Sequence, residues 1–317
     1  MKKIVFSIFS VILVAVLAFF IINNLQKPTK NSKFSIVATN FISYDLARTV
    51  AGDTAEVKML ISPGADAHSF APTPGDIIAI KNADLFIYTG GESDKWIENL
   101  LENNEIDQNK TFRLMDNVDL KTEETTAEMT TAAKSETDSS QPEYDEHVWT
   151  SPKNAIKITE NLKTKLISLS PQDTETYQQN TTAYIKKLQD IDNQITSIID
   201  SAKRKELIFA DRFPFRYFTD EYGLNYAAAF PGCSEQTEAS SQTIAQLIDK
   251  VKQDHIPVIL KIELTSDNLA QTIADATDAK ILTLNAGHNI SAEDFASGTT
   301  YLDLLTANLE TLKEALN

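Results

Sequence analysis

From Lys33 onward, short apolar runs alternate with segments whose apolar residues recur at helical spacing, the pattern of α/β lobes with mainly parallel sheets. The runs Phe34 to Thr39, Glu56 to Ile61, Asp84 to Thr89 and Thr111 to Leu114 read as strands. Ile42 to Val50, Asp76 to Lys81 and Ser93 to Leu101 read as the helices between them. The second half repeats the scheme. Strands are expected at Leu207 to Ala210, Tyr226 to Phe230, Pro257 to Ile262 and Lys280 to Leu284, with helices at Arg216 to Tyr222, Gln242 to Gln253 and Asn268 to Ala276. Two similar lobes are predicted.

Between the halves, Ser151-Pro152 and Ser170-Pro171 each place a capping hydroxyl before a proline suited to the first helical position. Tyr177, Tyr184, Leu188, Ile191, Ile195 and Ile198 then form an apolar stripe uninterrupted by Gly or Pro as far as Ala202. At about 1.5 Å per residue, a helix from Gln172 to Ala202 reaches on the order of 45 Å, enough to cross both lobes. One long rigid helix joining two lobes disfavours large closure motions. The expected organisation is a membrane-directed segment over residues 1–30, a first lobe over 31–150, connecting helices over 151–203 and a second lobe over 204–317.

The N-terminal run Ile4 to Ile22 follows Lys2 and Lys3 and is interrupted only by Ser7 and Ser10. It is long enough for a bilayer core, about 30 Å thick. It ends Phe19-Phe20-Ile21-Ile22-Asn23-Asn24, without the small residues of a cleavage site, and no cysteine follows that could carry a lipid. The expectation is an uncleaved signal anchor in preference to a cleaved signal peptide. The positive-inside rule then puts the rest of the chain on the extracellular face of the cytoplasmic membrane, anchored or secreted.

Composition narrows the partners. With 29 Lys and Arg against 45 Asp and Glu, the net charge of −16 argues against nucleic acid and anionic lipid and suits a cationic ligand. Residues 116–146 hold ten of the acids and only two bases, for a net −8, and few large apolar side chains. They read as an inserted, disordered acidic loop. Cys233 is the chain's one cysteine, so neither an internal disulfide nor a Cys-rich zinc site is available, and a metal site must draw on His, Asp and Glu.

There are four histidines. His68 follows Pro63 and Gly64 in a loop after a strand, His147 stands where the acidic loop meets the helix capped by Ser151, and His288 lies just past the last strand. Ligands of α/β sheets gather at such carboxyl ends. His255, in a helix-to-strand turn at the opposite end of the sheet, reads as a surface residue. Three imidazoles at one end of two lobes point to a borderline first-row dication, usually completed by a carboxylate. Asp211 and Glu263 both end second-lobe strands and are candidates for the remaining position. Asp211 could equally pair with Arg212, and Glu238 and Cys233 are further options. Asp66 is placed to accept an imidazole N–H beside the ion.

At this point the residues resemble the zinc and manganese solute-binding proteins of metal ABC importers, the ZnuA, AdcA and TroA group. Ser43 to Asp53 is similar to that family's first helix, Pro63 to Pro74 to its first ligand loop, and Asp145 to Pro152 to its second, while Thr299 to Leu305 matches its tail. The resemblance covers roughly Phe34 to Asn317. It implies two lobes on a rigid helix, a metal between them, and His68 and His147 as first-lobe ligands. The family's third histidine falls where this chain reads Asp211-Arg212-Phe213, which makes Asp211 the nearest substitute within one residue. His288 stands in for the family's final carboxylate. The implied set is His68, His147, Asp211 and His288.

The resemblance thus implies an extracellular, monomeric solute-binding protein that captures Zn²⁺, or as a second choice Mn²⁺, and delivers it to a membrane permease, with no enzymatic activity. A zinc hydrolase is the rival reading, but the chain has no HExxH motif to supply a general base. A surface adhesin with a structural metal is the third.

Overall fold

The computed structural model describes residues 33–66, 69–103, 105–129, 143–233 and 238–317. The apolar N-terminal run and His68 lie outside these residues. Phe34–Asn317 form one compact unit.

In its first lobe, β1 (Phe34–Ala38), β2 (Ala55–Met59), β3 (Leu85–Tyr88) and β4 (Thr111–Arg113) make a parallel sheet in the order β2-β1-β3-β4. The crossovers include α1 (Phe41–Ala51), α2 (Pro74–Asn82) and α3 (Lys95–Glu102). The connecting helices are α4 (Pro152–Leu169) and α5 (Thr174–Asp200). In the second lobe, β5 (Glu206–Phe213), β6 (Asn225–Pro231), β7 (Val258–Lys261) and β8 (Lys280–Thr283) repeat the scheme in the order β6-β5-β7-β8, again parallel. Here α6 (Arg216–Tyr222), α7 (Ser241–Gln253) and α8 (Asn268–Thr277) cross over, and α9 (Ala292–Ser297) and α10 (Tyr301–Ala315) close the chain. In each sheet the crossovers reverse direction at the first strand, which leaves a crevice beyond its carboxyl end.

The strut predicted from the apolar stripe is present but shorter. Ser151 caps α4 through a bond from Asn154 N, with Pro152 at the first turn. Ser170-Pro171 does not repeat this: Pro171 opens a single 3₁₀ turn, the Ser170 hydroxyl bonds Asp173 Oδ2, and α5 starts at Thr174. Its 27 residues span about 40 Å at roughly 1.5 Å each. Tyr177, Tyr184, Leu188, Ile191 and Ile195 are buried along one face, each fully buried large side chain contributing about 1.5–3 kcal/mol. They belong to one hydrophobic core that takes in Ile36 and Leu85 of the first lobe and Leu207 and Phe209 of the second. A core continuous through the strut couples the lobes mechanically, as a stiff bridge requires.

Backbone and side-chain bonds reinforce the coupling. Gly64 N donates to Ile290 O at 2.8 Å, and Asn289 Nδ2 donates to Ser62 O and Ala65 O at 2.9 and 2.6 Å. Buried Asp45 receives Tyr301 N at 3.0 Å while pairing with Arg48.

The acidic stretch departs from the expectation of disorder at both ends. Thr122 and Tyr144 form an antiparallel bridge, Glu123 N donates to Glu143 O at 2.9 Å, and Met129 is buried. Tyr217 Oη donates to Asp145 O and accepts from Lys121 N, so the stem docks on the second lobe. Residues 130–142 lie outside the described ones. Composition missed the stem because backbone pairing, one tyrosine and a few scattered apolar side chains such as Val118, Leu120 and Met129 order it.

Candidate metal centre

His147 precedes a 3₁₀ turn, Val148–Thr150, in which Thr150 N and Oγ1 both donate to the His147 carbonyl, at 3.1 and 2.9 Å. The turn fixes the backbone just ahead of the α4 cap. The imidazole is then oriented by Asp145, whose Oδ1 accepts from His147 N at 2.8 Å and lies 3.1 Å from Nδ1. That bond places the proton on Nδ1 and turns Nε2 outward as a lone-pair donor, the usual second layer of a metal-binding histidine. Burial pushes the His147 pKa down, but the adjoining Asp145 and Glu146 carboxylates outweigh it, and the net shift is upward.

His288 reaches the same place from the other lobe. It sits in the loop after β8, where Gly287 takes a φ of +74° that suits glycine. Glu263 holds this loop: its carboxylate accepts Ala286 N, Gly287 N and His288 N at 2.6, 2.8 and 3.1 Å. Burial raises the Glu263 pKa against the pull of these donors. The two imidazoles meet edge to face with centroids 5.3 Å apart and an interplanar angle of 89°. Trp149 wedges beside both rings, and its indole N–H donates to Ala286 O at 2.7 Å.

Ligand atoms of Glu146, His147 and His288 all lie within 4.8 Å of one another. Glu146 is fully buried and is held by Ser93, whose backbone N–H and hydroxyl both donate to it. Burial raises its pKa, with His147 opposing. Gly91 makes room, since a Cβ there would fall 2.6 Å from Glu146 Oε2. Gly232 does the same for the histidine: a Cβ would meet Phe213 O at 2.8 Å and His147 Cε1 at 3.3 Å. Two imidazole nitrogens and a carboxylate oxygen at this spacing form a chelating set for a dication of zinc's type.

Of the residues singled out from the sequence, His147 and His288 are brought together, and His68 lies outside the described residues. Asp211 lines the same cleft but stands outside the three-residue group. Its Oδ1 accepts Arg212 N at 2.8 Å, and its Oδ2 accepts Ile262 N and Thr265 Oγ1 at 3.1 and 2.5 Å, which ties β5 to the end of β7. Asp66 pairs with Arg212 at 3.7 Å. Glu263 clamps the His288 loop, and Glu238 is exposed at the rim. Cys233 is a free thiol, raised well above its usual pKa by burial and by Glu146, Asp145 and Glu123, so it remains protonated beside these acids. His255 is exposed in its turn, as expected. Sequence reasoning missed Glu146 and Asp145 as site residues, because both sit at the end of an acidic run that reads as solvated. Their adjacency to His147 was the available signal.

Two parallel α/β lobes on a rigid helical strut, with a histidine from each meeting at the carboxyl ends of the sheets, define a two-lobed fold with a cation-type ligand group between its lobes. The chain belongs to the family described as zinc-uptake complex component A, periplasmic, whose model matches residues 36–315. It is 30% identical over 323 residues to the zinc-binding lipoprotein AdcA of Streptococcus pneumoniae R6, covering 99% of this chain and 61% of that one, so it spans about three fifths of that relative's length. The high-affinity zinc uptake system protein ZnuA of Bacillus subtilis is 30% identical, with 91% of this chain and 89% of that protein aligned. The crystal structure of the Zn(II)-bound ZnuA-like domain of S. pneumoniae AdcA superposes with a TM-score of 0.73 at 30% identity, covering 90% of this chain and 99% of that domain.

Proposed function

We propose that this protein captures Zn²⁺ in the interlobe cleft and hands it to the membrane permease of an ABC importer, working as a monomer on the extracellular face of the cytoplasmic membrane. The observation that carries this reading is the meeting of His147 and His288, one from each lobe, with the buried Glu146 carboxylate. The family match and the names of the relatives support zinc as cargo, and the N-terminal apolar run supports the location. Nitrogen-rich coordination also favours zinc over manganese, which prefers more oxygen.

His68, His147 and His288 are the proposed imidazole ligands. Glu146 is preferred to Asp211 as the carboxylate because it shares the ligand group with both rings, whereas Asp211 is engaged in joining β5 to β7. A carrier is favoured over a zinc hydrolase by the commitment of the nearest carboxylates. Asp145 orients His147 and Glu146 belongs to the ligand group itself, which leaves neither disposed as a general base for water. Competitive titration of zinc against a chromogenic chelator tests the assignment. His147→Ala and His288→Ala should each lose at least tenfold in affinity, Glu146→Gln should lose more than Asp211→Asn, and His255→Ala should match the parent. Unchanged affinity in both histidine variants would overturn it.

A further inference from the structure

The segment from Asp145 to Trp149 carries Glu146 and His147 and joins the acidic stem to α4. Its backbone is buried, so its carbonyls need donors. Two find them locally: Glu146 O accepts Val148 N at 2.8 Å, and His147 O accepts from Thr150. The carbonyls at the two ends are met instead by tyrosine hydroxyls from the second lobe. Tyr217 Oη of α6 donates to Asp145 O at 2.8 Å, and Tyr301 Oη of α10 donates to Trp149 O at 2.5 Å. One bond falls two residues before His147 and the other two residues after it. Each phenol is fixed in turn. Tyr217 is buried in the first turn of α6, and its oxygen also accepts Lys121 N at 3.1 Å. Tyr301 opens α10, where Thr300 and Asp303 form a capping box, and its backbone N–H is held by Asp45.

We propose that Tyr217 and Tyr301 are positioning residues for zinc: by gripping both ends of the first lobe's ligand segment from the second lobe, they register His147 against His288. This rests on the zinc-capture reading. His288 is already set by the second lobe, since Glu263 gathers its loop, and Trp149 Nε1 on Ala286 O ties that loop to the segment between the two tyrosine bonds. The apolar core through the strut joins the lobes, but hydrophobic contact is non-directional. Ligand atoms must be held to within about 0.5 Å of their working geometry, and directional bonds at the ends of the segment supply that precision.

The test is competitive titration of zinc against a chromogenic chelator on the full-length chain, with cobalt(II) in a parallel series because its visible bands report ligand geometry. Tyr217→Phe and Tyr301→Phe each remove one hydroxyl and keep the ring. Each should weaken zinc binding by about threefold to tenfold, the worth of one neutral hydrogen bond, and shift the cobalt bands. Tyr222→Phe is the control: it removes a hydroxyl of α6 that donates to Asp192 Oδ1 at 2.6 Å, a bond outside the ligand segment. It should lower the thermal midpoint while zinc affinity and the cobalt bands stay those of the parent. Affinities of both site variants within about twofold of the parent, with parental cobalt bands, would overturn the inference and leave the zinc-capture reading standing. An equal loss of affinity in Tyr222→Phe would also overturn it, because the effect would then be general destabilisation. A parent chain that binds no zinc would overturn both. If circular dichroism shows that one site variant does not fold, the other decides.

Discussion

Asp145→Asn isolates how much of the zinc affinity comes from the orientation and basicity of a single imidazole. The Asp145 carboxylate holds both the backbone N–H and the Nδ1 of His147 at 2.8 and 3.1 Å. Asparagine keeps the shape and an acceptor oxygen but removes the charge. A hydrogen bond to a charged group is worth about 1.5–3 kcal/mol, or roughly one to two powers of ten at about 1.4 kcal/mol each. Loss of such outer partners in metal sites costs about 10–100-fold. Zinc affinity at pH 8 should therefore fall by about 10–100-fold, read by competition with a chromogenic chelator, while the circular dichroism spectrum stays that of the parent. The effect has a pH signature. Asp145 is the chief group raising the His147 pKa, so the variant's imidazole releases its proton more readily, and protons compete with zinc less in the variant. The gap between variant and parent should narrow as pH falls from 8 to 6. Affinity within twofold of the parent at pH 8, or a gap that widens with acid, would refute the reasoning.

Other outcomes follow from the same geometry. Gly232→Ala puts a Cβ 2.8 Å from Phe213 O and 3.3 Å from His147 Cε1; such overpacking costs about 1–3 kcal/mol, so thermal denaturation should shift down and chelator competition should show weaker zinc binding. Leu188→Ala removes a fully buried side chain of the strut from a core shared by both lobes, so chemical denaturation should show about 2–5 kcal/mol of destabilisation in one transition, not two. The raised His147 pKa gives the metal-free protein a stabilising contribution that is fully present below about pH 6.5 and is lost as pH rises through the folded value. Scanning calorimetry of metal-stripped protein should show this contribution disappear in His147→Gln. Zinc at one hundred times its dissociation constant should add about 2.7 kcal/mol of stability, an increment that calorimetry should find shrinking in acid as protons displace the metal.

Much of the fold is legible in the sequence because parallel strands buried on both faces must be continuously apolar, and their crossover helices must show a helical stripe. Phe34–Ala38 and Val258–Lys261 fall within one or two residues of their expected bounds for that reason. The start of the strut was less legible, since Ser170-Pro171 looks locally like a helix cap and only tertiary packing makes it a 3₁₀ turn. At the site, His288 was readable from its position past a strand end and His147 from its place between the acidic loop and the helix capped by Ser151. The roles of the carboxylates were not, because an Asp or Glu after a strand looks the same whether it ligates, joins two strands as Asp211 does, or gathers three backbone N–H groups as Glu263 does. Those distinctions depend on which backbone donors the fold brings within reach, and distant segments supply them.

The claim on which the account rests is that histidines from the two lobes share one cation, and anomalous diffraction at the zinc edge from crystals of the zinc-loaded protein measures this directly. The account predicts a single strong peak about 2.0–2.1 Å from a ring nitrogen of both His147 and His288. A peak bound to only one of these residues, or located outside the cleft, would contradict it.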